Sequence, residues 1–220
     1  KAHALVMGKR NQGPGLGFWI WKPFVIRHAL SSLRQDEVLV YLDAGCEINI
    51  SASARGRIHA YAKMAELGPV GMSTGNRAWR WIKPSVLAHF GMDPLSDFHV
   101  VGGGVLVLQR NATTNSILDQ WSRSALWREG ALFDDTEDGP LPDGFGAHRH
   151  DQSVLSCILR NHQIDGLASE TYFPNTWLTD GTDFPIWTLR NKWPFSIRPG
   201  SVGHRFVTTR SRLYRRPHVW

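Results

Sequence analysis

Cysteine is scarce in this chain: Cys46 and Cys157 are the only two among 220 residues. Two thiols without metal-ligand spacing imply neither a disulfide framework nor a cysteine-based zinc site, and they fit a reducing, cytoplasmic setting. Long apolar runs are missing too. No stretch approaches the roughly 18 residues that span a bilayer and no signal-peptide pattern is visible, so no transmembrane segment is expected. There is no internal repeat and no low-complexity tract, which excludes solenoids and arrays. Nor is acid in excess: 25 Lys plus Arg stand against 19 Asp plus Glu, a formal charge of +6. A modest basic balance suits phosphate-bearing ligands and polyanions.

What the chain does have is size, aromatic mass and two patches of charge. Its 220 residues suffice for one domain, 1–220, with a real core. It opens on Lys1, and about fifty or more further residues, the size of a β-α-β unit, are expected ahead of it. Ten Trp supply rings large enough for both core and sugar stacking. Arg198, Arg205, Arg210, Arg212, Arg215 and Arg216 crowd the end, while Asp134, Asp135, Glu137, Asp138 and Asp143 crowd a Gly/Pro-rich loop. Blocks of like charge read as solvated surface. An arginine-rich tail also suits nucleic acid, but no recognition motif accompanies it, so no nucleic-acid partner is expected.

Hydrophobic periodicity organises the rest. Val25, Ile26, Ala29, Leu30 and Leu33 recur at helical spacing, with Pro23 in the first turn, where its missing N–H costs nothing. The run VLVYL at 38–42 is continuous, apolar and rich in β-branched residues, as in a strand covered on both faces. Residues 58–67 and 86–90 read as helix, 70–72 as a short strand, 105–108 as a second buried strand and 117–126 as an amphipathic helix behind it. Residues 133–147 form a loop, and HDQS at 150–153 opens a helix over 154–159. Alternating helices and fully apolar strands predict an α/β domain with a mainly parallel, mixed sheet flanked by helices. From 177 to 220 no period survives, and this stretch is expected to wrap the domain irregularly.

Several residues in this frame can carry chemistry. The strand over 38–42 runs into Asp43, which puts a carboxylate at the sheet edge where open α/β folds bind ligands. An acid there holds a divalent cation through hard oxygen ligands, or caps a turn. Lys22, at the mouth of the preceding helix, offers a compact ammonium to an anion, or faces solvent; Arg27 beyond it is a weaker second cation. Asp151 stands at a helix start, where the dipole favours its ionised form or where it simply caps, and Gln152 follows it. His148 and His150, spaced by one, read as orienting groups and not as metal ligands. In VGGGV at 101–105, Gly103 and its neighbours let the backbone approach a ligand, or mark a bulge.

Three motifs in order carry a resemblance. GLGFWIWKP at 15–23, LDAGC at 42–46 and HRHDQS at 148–153 follow one another as in a little-characterised family of bacterial and viral glycosyltransferases, and the likeness spans about residues 15–172. YLDA at 41–44 also resembles the strand end of glycogenin-like transferases, in which two Asp separated by one residue meet metal and donor. Gly45 stands where the second acid would be, and Glu47 has the wrong spacing to replace it. The resemblance implies a GT-A-like, Rossmann-related fold without its first β-α-β unit, and a hexosyltransferase-like enzyme. It would use a nucleotide diphosphate sugar and a glycan acceptor. It assigns Lys22, Asp43, Gly103 and Arg27 to the donor, Asp43 and His204 to a manganese or magnesium ion, and Asp151 and Gln152 to the reacting sugar. A degenerate transferase that binds glycan or nucleotide sugar without turnover is the alternative.

Overall fold

The computed structural model describes residues 1–137, 139–171 and 179–188. Two short helices, α1 (Ala2–Lys9) and α2 (Pro14–Phe18), lead into α3 (Lys22–Ser31). The path around α2 is left-handed: φ lies between 56° and 86° at Gly15, Leu16, Gly17, Phe18 and Trp19. Glycine adopts such angles freely, whereas Leu16, Phe18 and Trp19 carry them with a Cβ, at a cost of about 1–3 kcal/mol each. The path is tied by the Trp21 indole, which donates to the Gly15 carbonyl at 3.0 Å. In α3, Pro23 sits in the first turn as expected, and Ile26 and Leu30, four residues apart, both face the core.

Strands β1 (Val38–Leu42) and β2 (Cys46–Ile48) follow, then helix α4 (Ala52–Met64), whose N-terminus is capped by Ser51. Next come β3 (Val70–Arg77), α5 (Ala78–Trp81), α6 (Pro84–His89), β4 (His99–Gln109) and α7 (Ala112–Leu126), the last capped by Asn111. After a 3-10 turn at Trp127–Gly130, helix α8 (His150–Asn161) and strand β5 (Ile186–Thr188) complete the described elements. Both β3 and β4 run further than their apolar cores, because the flanking STGNR and HVVGGG segments carry no unbroken hydrophobic signal.

The main sheet has the order β1-β4-β3, and both pairings are antiparallel, with Leu42 opposite Val105 and Val70 opposite Val107. The α/β class therefore stands, but the mainly parallel sheet does not: among the described residues the one parallel link is the isolated bridge between Met72 and Leu167. The reason lies in the packing. On one face of β4, Leu106 and Leu108 join Ile117, Trp121, Val154 and Ile158 of α7 and α8; on the other, Val107 joins Tyr61 and Ala65 at α4. A strand covered on both faces reads as continuously apolar whichever way its neighbours run.

β5 pairs antiparallel with β2, so Ile186–Thr188 is a strand where irregular structure was expected. His204, the C-terminal arginines and Asp138 lie outside the described residues. Among those described, no helix is long and apolar enough to cross a membrane.

Candidate active site

Asp43 follows β1 directly, and its N–H donates to the Gly104 carbonyl at 2.8 Å, which extends the β1–β4 ladder past the strand. Lys22 approaches from the first turn of α3 with only 2% of its surface exposed. Its ammonium lies 3.1 Å from Asp43 Oδ1 and 2.9 Å from Asp151 Oδ2, and donates to the Gly103 carbonyl at 3.1 Å. The rings of Trp19 and Tyr41 flank it at 5.8 and 5.6 Å, within cation–π range. The Tyr41 hydroxyl donates to Asp43 Oδ1 at 2.8 Å. Four segments far apart in the chain thus meet at one ammonium.

Neither carboxylate is a cap. Arg149 occupies the N-cap of α8, no side chain caps that helix, and Asp151 in its first turn spends its charge on Lys22. Asp43 is bound by Tyr41 and Lys22. Burial pushes the Asp151 carboxyl above the usual carboxylate range, the Lys22 ammonium opposes this, and the nearby Asp43 charge adds to it. A buried ion set is weak evidence of stability, since apolar residues of similar volume pack as well or better; a perturbed carboxylate in a cleft is the commoner mark of function.

The consecutive glycines of β4 have a definite purpose. A Cβ at Gly103 would lie 2.6 Å from Asp151 Oδ2, and one at Gly104 would lie 2.9 Å from Asp43 Oδ2. The bare backbone is therefore the floor on which the chain's own carboxylates rest. It belongs to the interior of the central strand and not to a bend at a sheet edge.

The constellation opens on a cleft of about 720 Å³, a size suited to a small ligand. Lys22, Asp43, Gly103, Asp151 and Gln152 all line it, together with Trp19, Arg149 and His150. Arg27 does not: five residues beyond Lys22 it points roughly 140° away around the helix. It pairs instead with Asp119 of α7 at 3.0 Å, on an exposed face. Tyr41 was missed as a partner of Asp43, although two residues earlier on a strand means the same face.

One ammonium between two carboxylates leaves a negative charge unbalanced. Asp43 carries it toward the cleft, with its side chain 40% exposed against 7% for Asp151. That fits a single contact to a divalent ion. Among the described residues no group of three His, Cys, Asp or Glu could hold an ion unaided, so an ion at Asp43 would take its other ligands from outside these side chains.

The two histidines act as supports. His148 is buried; its Nδ1 accepts from the Lys83 N–H at 3.4 Å and its Nε2 faces the Leu132 carbonyl at 3.0 Å, which selects the neutral Nε2–H tautomer. His150 Nδ1 donates to the Phe133 carbonyl at 2.9 Å, and its ring packs against Phe18 and Trp19. Beneath them the buried Lys83 ammonium donates to the carbonyls of Ala131, Asp134 and Thr136. Asp134 pairs with both Lys83 and Lys9, so this member of the acidic cluster is an anchor and not solvated surface.

Burial holds His148 well below its usual pKa, with Lys83 adding to the effect. An unfolded histidine takes a proton near pH 6.5, so the stabilisation from this neutral imidazole is full above about pH 6.5 and is lost as pH falls below it, by up to about 1.4 kcal/mol per pH unit. Thermal melts between about pH 7 and 5 should steepen in the wild type relative to His148→Gln. Parallel curves would contradict the buried neutral state.

No protein family, curated protein or solved structure matches the chain.

Proposed function

We propose that this chain transfers a sugar from a nucleotide diphosphate sugar to a hydroxyl group of a glycan or similar acceptor. The observation that supports it best is the convergence of Lys22, Asp43, Asp151 and Gln152 on one cleft over a glycine floor. These are the residues that the motif resemblance assigns to donor and sugar.

In this account the donor's diphosphate lies against the Lys22 side of the cleft. Lys22 is already shared by both carboxylates, so a diphosphate draws on the further positive charge of Arg149, which lines the same cleft, and a manganese or magnesium ion at Asp43 would neutralise the leaving group. At the sugar, the anomeric carbon–oxygen bond to phosphate breaks, a bond to the acceptor oxygen forms, and the acceptor proton passes to a base. Asp151 takes that role, its burial having raised its proton affinity. Gln152 orients the sugar through its amide.

Calorimetry of uridine and guanosine diphosphates, with and without manganese, tests the donor half. Binding that tightens with the ion and weakens in Asp43→Ala is expected; no binding of these or of thymidine and adenosine diphosphates under any condition would sink the proposal. Binding without any sugar release would favour the non-catalytic alternative.

Gly104→Ala probes the floor. Its Cβ would press on Asp43 Oδ2, and a carboxylate shifted by about 1 Å should lower transfer about a hundredfold while circular dichroism stays unchanged. Full activity in that variant would mean the contact is slack.

A further inference from the structure

The far side of the cleft differs in chemistry from the side that holds Lys22. β3 flanks β4 opposite to β1 and contributes Ser73, Thr74 and Asn76, and Ser169 continues the lining from the segment bonded to β3, whereas Thr171 and Thr188 line the cleft on the Cys46 side. None of the four side chains Ser73, Thr74, Asn76 and Ser169 is ionisable near neutral pH. Two strand spacings, on the order of 10 Å, separate β1 from β3, so this wall serves a different part of the bound ligand from the part at Asp43.

The wall is built and not incidental. Ser73 and Thr74 are adjacent, and on a regular strand they would point to opposite faces. Both line the cleft because the β3–β4 register slips between Gly71 and Ser73 and again between Ser73 and Arg77; such bulges re-aim side chains. The Thr74 hydroxyl is fixed by donating to the Val100 carbonyl at 3.0 Å and accepting from the Asn76 N–H at 3.3 Å. The Asn76 side-chain amide has no hydrogen-bond partner among the described residues. On the other flank the segment over 166–171 is clamped to β3. Ser73 N–H donates to the Leu167 carbonyl at 2.7 Å and Leu167 N–H donates to the Gly71 carbonyl at 2.9 Å. Buried Glu170 is held by Arg57 and by the Tyr61 hydroxyl, and Thr188 N–H donates to the Thr171 carbonyl.

The geometry points to this wall as the acceptor subsite, made for a neutral saccharide without carboxylate, sulfate or amine. The inference rests on the transferase proposal. Hydroxyls and a primary amide both donate and accept, which matches the dual character of sugar hydroxyls. β3 and the segment over 166–171 put no ionisable side chain into the lining, so a charged sugar would give up hydration against them without meeting an opposite charge from this wall.

Saturation-transfer NMR with lactose, maltose and cellobiose, and with glucuronic acid and glucosamine as charged probes, tests it in wild type and Asn76→Ala. Uridine and guanosine diphosphate affinities are measured in parallel by calorimetry. At least one neutral disaccharide should bind, and Asn76→Ala should weaken it about fivefold, the loss of roughly one neutral hydrogen bond, with nucleotide affinity unchanged. Ser73→Ala, on the same wall, is the second variant should Asn76→Ala fail to fold. Preference for a charged probe, no contact with any neutral one, or weakening of the nucleotide in place of the saccharide would overturn the subsite. Saccharide binding with no nucleotide binding would support the subsite while refuting the donor proposal.

Discussion

Replacing Lys22 with Ala is expected to lower the stability of the fold by about 3–5 kcal/mol, the usual cost of orphaning one partner of a buried ion pair. The two carboxylates respond differently. Asp43 is 40% exposed at its side chain and can turn to water, whereas Asp151, at 7%, cannot. Without the ammonium only the weaker influence of His150 opposes the burial and the Asp43 charge that raise the Asp151 pKa. A carboxyl whose folded pKa lies above its unfolded value destabilises the charged state, so the penalty should shrink as pH falls through the raised folded value. The double variant Lys22→Met with Asp151→Asn should recover much of the loss, since it removes charge and counter-charge together. Urea unfolding at neutral and mildly acidic pH measures all three. An unchanged midpoint in Lys22→Ala would mean that the ammonium is not held between these acids.

Asp43→Ala is expected to do the reverse: to leave the fold nearly intact and lower transfer about a hundredfold or more, comparable to losing one preorganised charge-stabilising group. Its side chain is the exposed member of the set and packs on no apolar cluster. The lost contacts are the Tyr41 hydrogen bond and one of the two ion pairs of Lys22, and Lys22 keeps Asp151. Initial rates at saturating donor, beside a urea titration, separate the two effects. Wild-type turnover would remove Asp43 from the chemistry.

These contrasts could not be drawn from sequence alone, although much of the site was legible there. The positions of Asp43, Lys22 and Asp151 follow from where an apolar strand and two helices begin or end, and such ends are the strongest local signals a chain carries. Strand direction left no trace, because apolar cover on both faces of β4 erases the alternation that marks a half-exposed antiparallel strand. Arg27, read as a weaker second cation beyond Lys22, pairs with Asp119 away from the cleft, since only spacings of three or four share a helix face. The meaning of Gly103 and Gly104 was also hidden. They make room for side chains that arrive from residues 43 and 151, contacts of high sequence separation that no local pattern encodes. The neutral wall of β3 was invisible for a similar reason: the apolar signal of this strand ends at Met72, and the slipped register lies beyond it.

The most direct test of the central claim is release of nucleoside diphosphate from uridine, guanosine, thymidine and adenosine diphosphate sugars, followed with manganese present in the wild type and in Asp43→Ala. Release from at least one donor by the wild type is expected, and about a hundredfold less by the variant. No release from any donor, or equal release by both proteins, would contradict the claim.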